Sequence, residues 1–258
     1  MSVTHQLKVA SSILASSARG WRGSLSFRPT TRQPEQLLKL YEYEASPFCR
    51  FVREALSEMD LDVLILPCPH RGSRFRPQAI ALGGKRLFPF LVDPNTGVSM
   101  HESADIVDYL AETYGGQLRA PRGLRRKGAV VASALTSTIR AVPHVHGLRA
   151  VHSKAPAQPL ELFSFEASPY SRLVRERLCE LELPYILRNT AKARWEDVGP
   201  PWIRSKFFPA LPVEGRNRLR LLELEGRVQV PYLIDPNTGV SLFESEEILK
   251  YLDATYAG

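Results

Sequence analysis

Apolar residues between positions 48 and 59 fall at Phe51, Val52, Ala55, Leu56 and Met59, a spacing that lines one face of a helix. Pro47 stands just ahead of them, where its fixed φ suits a first helical turn. On either side the period changes. "LLKLYEY" (37–43) alternates and is aromatic, which predicts a strand, and "DVLILPC" (62–68) predicts a second, more apolar one. A variable helix follows around 74–83. "FPFLVD" (88–93) reads as a third strand, "DPNTG" (93–97) as a turn and "VSMH" (98–101) as a fourth strand. "ESADIVDYLAETYGG" (102–116) is a helix ended by Gly115 and Gly116. The resulting order is β-α-β-α-β-β-α. Its strand-helix-strand unit calls for parallel pairing with a right-handed crossover, and its short turn calls for an antiparallel hairpin. A mixed four-stranded sheet with helices on both faces, an α/β fold, satisfies both.

The same pattern occurs twice. Residues 40–66 align with 162–188 at a shift of 122, and residues 88–116 align with 230–258 at a shift of 142. The block "DPNTGVS" is intact at 93–99 and 235–241. The change of shift places a ~20-residue insertion within 194–215 of the second copy. The repeat also reaches backwards, from "VASSILASS" (9–17) to "VASALTSTI" (131–139). A Ser- and Arg-rich, acid-free start looks like an organelle transit peptide. Its internal copy argues instead for a short amphipathic helix ahead of each core, with Val131, Leu135, Ile139 and Val142 on one face of the second. The expected organisation is a basic N-terminal helix or arm (1–36), a first domain (37–116), a basic linker with a helix (117–158) and a second domain (159–258).

Composition narrows the function classes. With 44% apolar and 24% charged residues the chain is globular rather than disordered. It has no apolar run long enough for a transmembrane span. The net charge of +7 is unevenly placed. Residues 1–34 and 117–160 contain no acid and hold 13 of the 34 cations, so the two cores are acidic and their connecting segments basic. Those segments either pack on the acidic cores or dock an acidic partner, anionic lipid or nucleic acid. They lack the spaced aromatics of a single-strand binder, which argues against nucleic acid. Cys49, Cys68 and Cys179 are too scattered for a disulfide framework, and no Cys/His set has zinc spacing. His144 and His146 read as a solvated loop rather than a metal site.

Three features converge at one edge of the expected sheet. Ser46-Pro47-Phe48-Cys49 lies at a strand-to-helix turn, where free N–H groups and the helix dipole favour a thiolate. Phe88-Pro89 opens a strand, is a candidate cis bond, and leaves the preceding backbone free to pair with an extended peptide. Glu102-Ser103 begins the last helix, whose N–H groups suit a carboxylate. Each alone is an ordinary helix start, strand start or cap. Their joint order recurs at Ser168, at Val230-Pro231 and at Glu244-Ser245.

"EASPFCRFVREAL" with "FPFLVDPNTGVSMHESADIVDYL" resembles the N-terminal, thioredoxin-fold domain of glutathione transferases and the related glutaredoxins. The tandem arrangement resembles plant and algal chloroplast proteins with two such domains. The resemblance implies glutathione as ligand and a chloroplast location, in the stroma or at the thylakoid. It also implies catalytic positions at Ser46 and Ser168, with Cys49 as the second position of the motif. Phe88, Pro89, Val230 and Pro231 would pair with the glutathione backbone. Glu102, Ser103, Glu244 and Ser245 would hold the γ-glutamyl end.

The departures set the mechanism. Disulfide exchange needs an attacking thiolate, and Ser stands first in both copies. Cys49 turns inward and is expected to be a buried small hydrophobe. The second copy has Ser171 in its place. Dithiol chemistry is therefore not expected. A serine-type transferase, in which Ser donates a hydrogen bond to the sulfur of glutathione, fits better. Such enzymes carry an all-helical domain after the first domain, and this chain has another copy of the first instead. A non-catalytic interaction protein, or a subunit of a chloroplast assembly, is the alternative. Whether the chain is an enzyme is left open by the sequence.

Overall fold

The computed structural model describes residues 2–27, 29–117, 146–197, 206–207 and 211–258. The helix expected around Val131, with Leu135, Ile139, Val142 and His144, lies outside the described residues, as does much of the insertion.

Helix α1 (Val3–Ala18) comes first. The first copy then runs β1 (Leu38–Glu42), α2 (Pro47–Glu58), β2 (Val63–Pro67), α3 (Arg76–Gly83), β3 (Phe90–Asp93), β4 (Val98–His101) and α4 (Ser103–Tyr114). The second repeats it as β5 (Leu160–Ser164), α5 (Pro169–Glu180), β6 (Tyr185–Asn189), α6 (Arg216–Glu225), β7 (Tyr232–Asp235), β8 (Val240–Phe243) and α7 (Ser245–Tyr256). The expected β-α-β-α-β-β-α order holds in both copies, and the fold is two thioredoxin-like domains in tandem. β1 pairs parallel with β2 and antiparallel with β3, and β3 forms the hairpin with β4. The expected stripe Phe51, Val52, Ala55, Leu56 and Met59 is buried against α4 and the sheet.

The repeated "DPNTG" block has a structural reason. Asp93 accepts from the Asn95 backbone N–H at 2.8 Å and from the Tyr114 and Tyr109 hydroxyls at 2.5 and 2.8 Å. Gly97 takes φ +75, the left-handed region that favours glycine. Asp235, Asn237, Tyr256, Tyr251 and Gly239 reproduce the arrangement. The identity is thus a turn strapped to the last helix of its own copy.

The two sheets are one. Strand order is β4-β3-β1-β2-β6-β5-β7-β8, joined where β2 and β6 run antiparallel. Val63 faces Leu187, Leu64 faces Ile186 and Ile65 faces Tyr185. Because Tyr185 and Leu187 are the copies of Val63 and Ile65, this register is self-complementary, as an isologous contact about a twofold axis must be. One apolar cluster runs through both copies on the α2, α4, α5 and α7 side, while α3 and α6 each cover a smaller cluster on the other face.

Buried charge marks the same axis. Arg53 on α2 and Arg175 on α5 are counterparts, as are Glu44 and Glu166. Arg53 Nε donates to Glu166 at 2.9 Å, and its Nη2 lies 3.2 Å from Glu44. Arg175 Nη2 lies 3.1 Å from Glu44 and 3.0 Å from Glu166. Each carboxylate is thus shared by a guanidinium from either copy. Glu42 adds a bond from Arg53 Nη1 that its counterpart, Ser164, cannot copy as a charge.

The segments ahead of the copies are exchanged. Ser24–Ser26 pairs with Lys192 of the second copy, and Leu148–Ala150 pairs with His70 of the first. α1 packs on α5, not on its own copy's helix. Its buried face is His5, Val9, Ser12, Ala15 and Ser16. Small side chains there let the two helices approach closely. Arg19 and Arg22 pair with Glu54 and Glu58, so part of the basic N-terminal segment packs on an acidic core.

Replacing Arg175 with Met leaves Glu44 and Glu166 a single shared cation. The expected loss is about 3–5 kcal/mol in urea unfolding, the cost of breaking a buried pair; a loss under about 1 kcal/mol would remove the quartet from any structural role. The pH profile tests it separately. Burial pushes Glu166 up, but Arg175 and Arg53 outweigh it and hold it at about 2. Burial pushes Glu42 up to about 7 against the pull of Arg53, with Glu44 and Glu166 adding repulsion. Glu166 therefore adds stability above the ordinary carboxylate range, lost as pH falls towards 2. Glu42 has the opposite sign. The folded chain keeps a proton that the unfolded chain has released, so stability falls as pH rises from about 4.3 to 7. The urea midpoint of Glu42→Gln relative to the parent should rise between about pH 5 and pH 7. A constant difference would contradict it.

Candidate functional site

One row of residues across the sheet brings the candidate groups together. Tyr41 at the end of β1 faces Phe90 at the start of β3, and Phe90 faces His101 at the end of β4. The β1–α2 turn, the Phe88-Pro89 segment and the Glu102-Ser103 step all adjoin this row. The Phe88–Pro89 and Val230–Pro231 peptide bonds are cis.

Ser46 is the N-cap of α2, and its hydroxyl oxygen accepts from the Cys49 N–H at 3.2 Å. Capping uses one lone pair and leaves the hydroxyl proton to donate. Ser46 is only 1% exposed. Tyr43, two residues after the row, lies beside it. Burial raises the Tyr43 phenol, and a hydrogen bond with Ser46 acts the other way. The Phe88 ring stands edge-on to Tyr43 at 6.3 Å, with the Arg76 guanidinium 4.7 Å above it. Glu102, the N-cap of α4, sits at φ +71, a left-handed conformation that costs a non-glycine residue about 1–3 kcal/mol. Its side chain makes no capping hydrogen bond. The surroundings are cationic. Burial, then Arg76, Arg149 and Arg86, lower His70.

The thiols are enclosed. Cys49 and Cys68 are 0% exposed and Cys179 is 2%. Burial, then the Glu42 carboxylate, pushes Cys49 up to about 12. Burial also raises Cys68 and Cys179. Cys49 is the buried small residue expected of it. Among the described residues no cluster could hold a metal ion, and no helix is long and apolar enough to cross a membrane.

The second copy keeps the frame with different neighbours. Ser168 caps α5 and accepts from Ser171 N–H at 3.3 Å. Phe165 replaces Tyr43, so the phenol at that position is lost. Glu244 sits at φ +65 and accepts from Gln229 at 2.5 Å; Leu87 is the Gln229 counterpart. α1 lies over this site. His5 Nε2 is 3.0 Å from Ser245 Oγ, the Ser2 N–H donates to Glu246, and Ser16 donates to the Ala167 carbonyl. The pair Glu244-Ser245, expected to hold a ligand, is thus in contact with the chain's own N-terminal helix. The sequence reading passed over Tyr43, Arg76 and the covering role of α1. Tyr43 sits at the end of an alternating strand pattern, where an aromatic signals sheet, not chemistry. The one available signal was that only the first copy has a hydroxyl at that position.

The family profile described as "Glutathione S-transferase, N-terminal domain" matches residues 40–118 and again 162–258. No curated protein matches the chain. Among solved structures, a delta-class glutathione transferase of Nilaparvata lugens aligns at 28% identity and a TM-score of 0.25. The alignment covers 31% of this chain and 37% of that one, so it spans well under half of either protein.

The buried thiols give a direct test. Native protein at mildly alkaline pH should show no labelling by iodoacetamide at any of the three cysteines, and full labelling in denaturant. Rapid native alkylation of Cys49 would restore a nucleophilic role to it.

Proposed function

The chain belongs, in two tandem copies, to the glutathione S-transferase N-terminal domain family, and on that premise we propose that its first copy binds glutathione without dithiol chemistry. The observation that carries this reading is the grouping at the Tyr41–Phe90–His101 row. There a capped helix start, the Phe88-Pro89 segment and a glutamate in left-handed conformation meet within a cationic rim. Phe88 supplies backbone pairing to the tripeptide. Glu102, Ser103 and the first N–H groups of α4 hold its γ-glutamyl end. The Ser46 hydroxyl, with Tyr43 beside it, donates towards the sulfur and lowers the thiol below its ordinary value near 8.5. Each unit of that shift corresponds to about 1.4 kcal/mol. Arg76 and its cationic neighbours favour a ligand with net negative charge. Ser168, Val230, Pro231, Glu244 and Ser245 form the equivalent site in the second copy, which α1 must leave before a ligand could enter.

A second reading has its own support. Both serines are buried caps, and α1 covers the second site. These features fit an interaction protein of a chloroplast assembly, in which the frame is kept for its shape.

Calorimetry separates the two. Glutathione binding in the millimolar range or tighter is expected, reduced at least tenfold by Glu102→Ala and more weakly by Ser46→Ala. Circular dichroism of Ser46→Ala must show an intact fold, because losing the cap costs about 1 kcal/mol by itself. No heat of binding with reduced or oxidised glutathione leaves the interaction reading standing alone.

A further inference from the structure

Arg50 and Arg172 occupy the same position in the two copies, four residues after the capping serines. Arg53 and Arg175, one turn further along, are saturated with carboxylate. Arg50 and Arg172 are not, although each is only 2% exposed. Arg50 Nε stands 3.7 Å from Glu166 Oε1, too long for a hydrogen bond, and that carboxylate already serves Arg53 and Arg175. Arg172 donates from Nη1 to the Ser12 carbonyl of α1 at 3.0 Å. Among the described residues no acceptor reaches Arg50 Nε, Arg50 Nη1 or Arg172 Nε. A guanidinium cannot shed its proton, so three buried donors without acceptors are a substantial cost.

The local charge points the same way. Four guanidinium groups, at Arg50, Arg53, Arg172 and Arg175, are gathered with Glu42, Glu44 and Glu166. Arg19 and Glu54 beside them compensate each other. Burial, then Arg50, presses on Arg172 and lowers it to about 9. The two like charges act on each other, and both groups keep donors to spare.

We propose that Arg50 and Arg172 together bind a small monatomic anion, chloride in solution, at the junction of α2, α5 and α1. A halide accepts several N–H donors at once from any direction. A tetrahedral oxyanion would bring four oxygens to three free donors and leave buried acceptors unpaired in turn. The bound ion gives the spare donors of both guanidinium groups an acceptor. It also ties α1 in place, because Arg172 holds the ion with Nε while it holds Ser12 with Nη1. The site uses neither the capping hydroxyls nor the Phe88-Pro89 segment, so it stands or falls independently of glutathione binding.

Crystals of the full chain soaked in bromide give the decisive measurement. An anomalous peak within hydrogen-bond reach of both guanidinium groups is expected. In solution, the melting temperature at constant ionic strength should rise with the logarithm of chloride concentration once gluconate is exchanged for chloride. Arg50→Met should abolish that rise. The bromide measurement on the unaltered chain decides the matter even if the variant folds poorly. No bromide peak, tetrahedral density in its place, or melting curves indifferent to the exchange of gluconate for chloride would each overturn the assignment.

Discussion

The quartet of Glu44, Arg53, Glu166 and Arg175 is the constraint on which the rest depends. Each of its four groups is buried, and each needs partners from the other copy. Neither copy alone could satisfy its own pair. Glu44 would keep Arg53 at 3.2 Å but lose Arg175, and Glu166 would lose Arg53. Unpaired charge in such a place costs several kcal/mol. Apolar pairing of β2 with β6 brings the copies together, and the charges fix how they meet. A slip of β2 on β6 by one residue would turn the side chains of both strands to the wrong face and pull every ion pair out of reach. The continuous sheet, the shared apolar cluster and the exchanged arms are all consequences of one register.

Most of the fold within a copy was legible in the sequence. The helical stripe from Phe51 to Met59, the "DPNTG" turn and the glycine stop at Gly115 each follow from periodicity or from the conformational needs of one residue type. The repeat supplied the second copy. What it could not supply was the relation between the copies. Val63, Leu64 and Ile65 read equally well as the edge strand of a four-stranded sheet or as the seam of an eight-stranded one. The pattern of one strand does not say what lies beside it. The exchange of α1 onto α5 was hidden for a related reason. Its contact face is built from His5, Ser12, Ala15 and Ser16, while Leu7 and Leu14 are exposed. A hydrophobic pattern reads that helix with the wrong side inward.

The site was legible where backbone chemistry dictates residue type. Ser46 and Ser168 are caps, Pro89 and Pro231 follow cis bonds, and Glu102 and Glu244 precede helices. The electrostatic part was not. Arg50, Arg53 and Glu54 are polar positions of an amphipathic helix, and on that pattern they belong to its solvated face. All three are buried, Arg50 and Arg53 against Glu166 of the second copy and Glu54 against Arg19 of the N-terminal segment. Identity of Glu44 with Glu166 and of Arg53 with Arg175 was visible as repetition. Opposite charges kept in both copies, beside an apolar seam, could have marked the axis.

The exchange of cysteine for serine makes physical sense in this setting. Ser46 and Arg50 lie one helical turn apart on α2, so the cap and the axis share a single turn. A reactive thiolate at the cap would place a permanent negative charge in that turn, near Glu42, whose own carboxyl is already pushed up to about 7 by burial and by neighbouring carboxylates. Cys49 feels the same pressure and is held as a thiol. A hydroxyl accepts the Cys49 N–H, keeps a proton to donate and adds no charge. The frame therefore tolerates a thiolate that arrives on a ligand from the outer side of the turn far better than one built into the chain. Burial beside the Glu42 carboxyl thus favours an uncharged group at the cap, whether or not a ligand thiol meets it there.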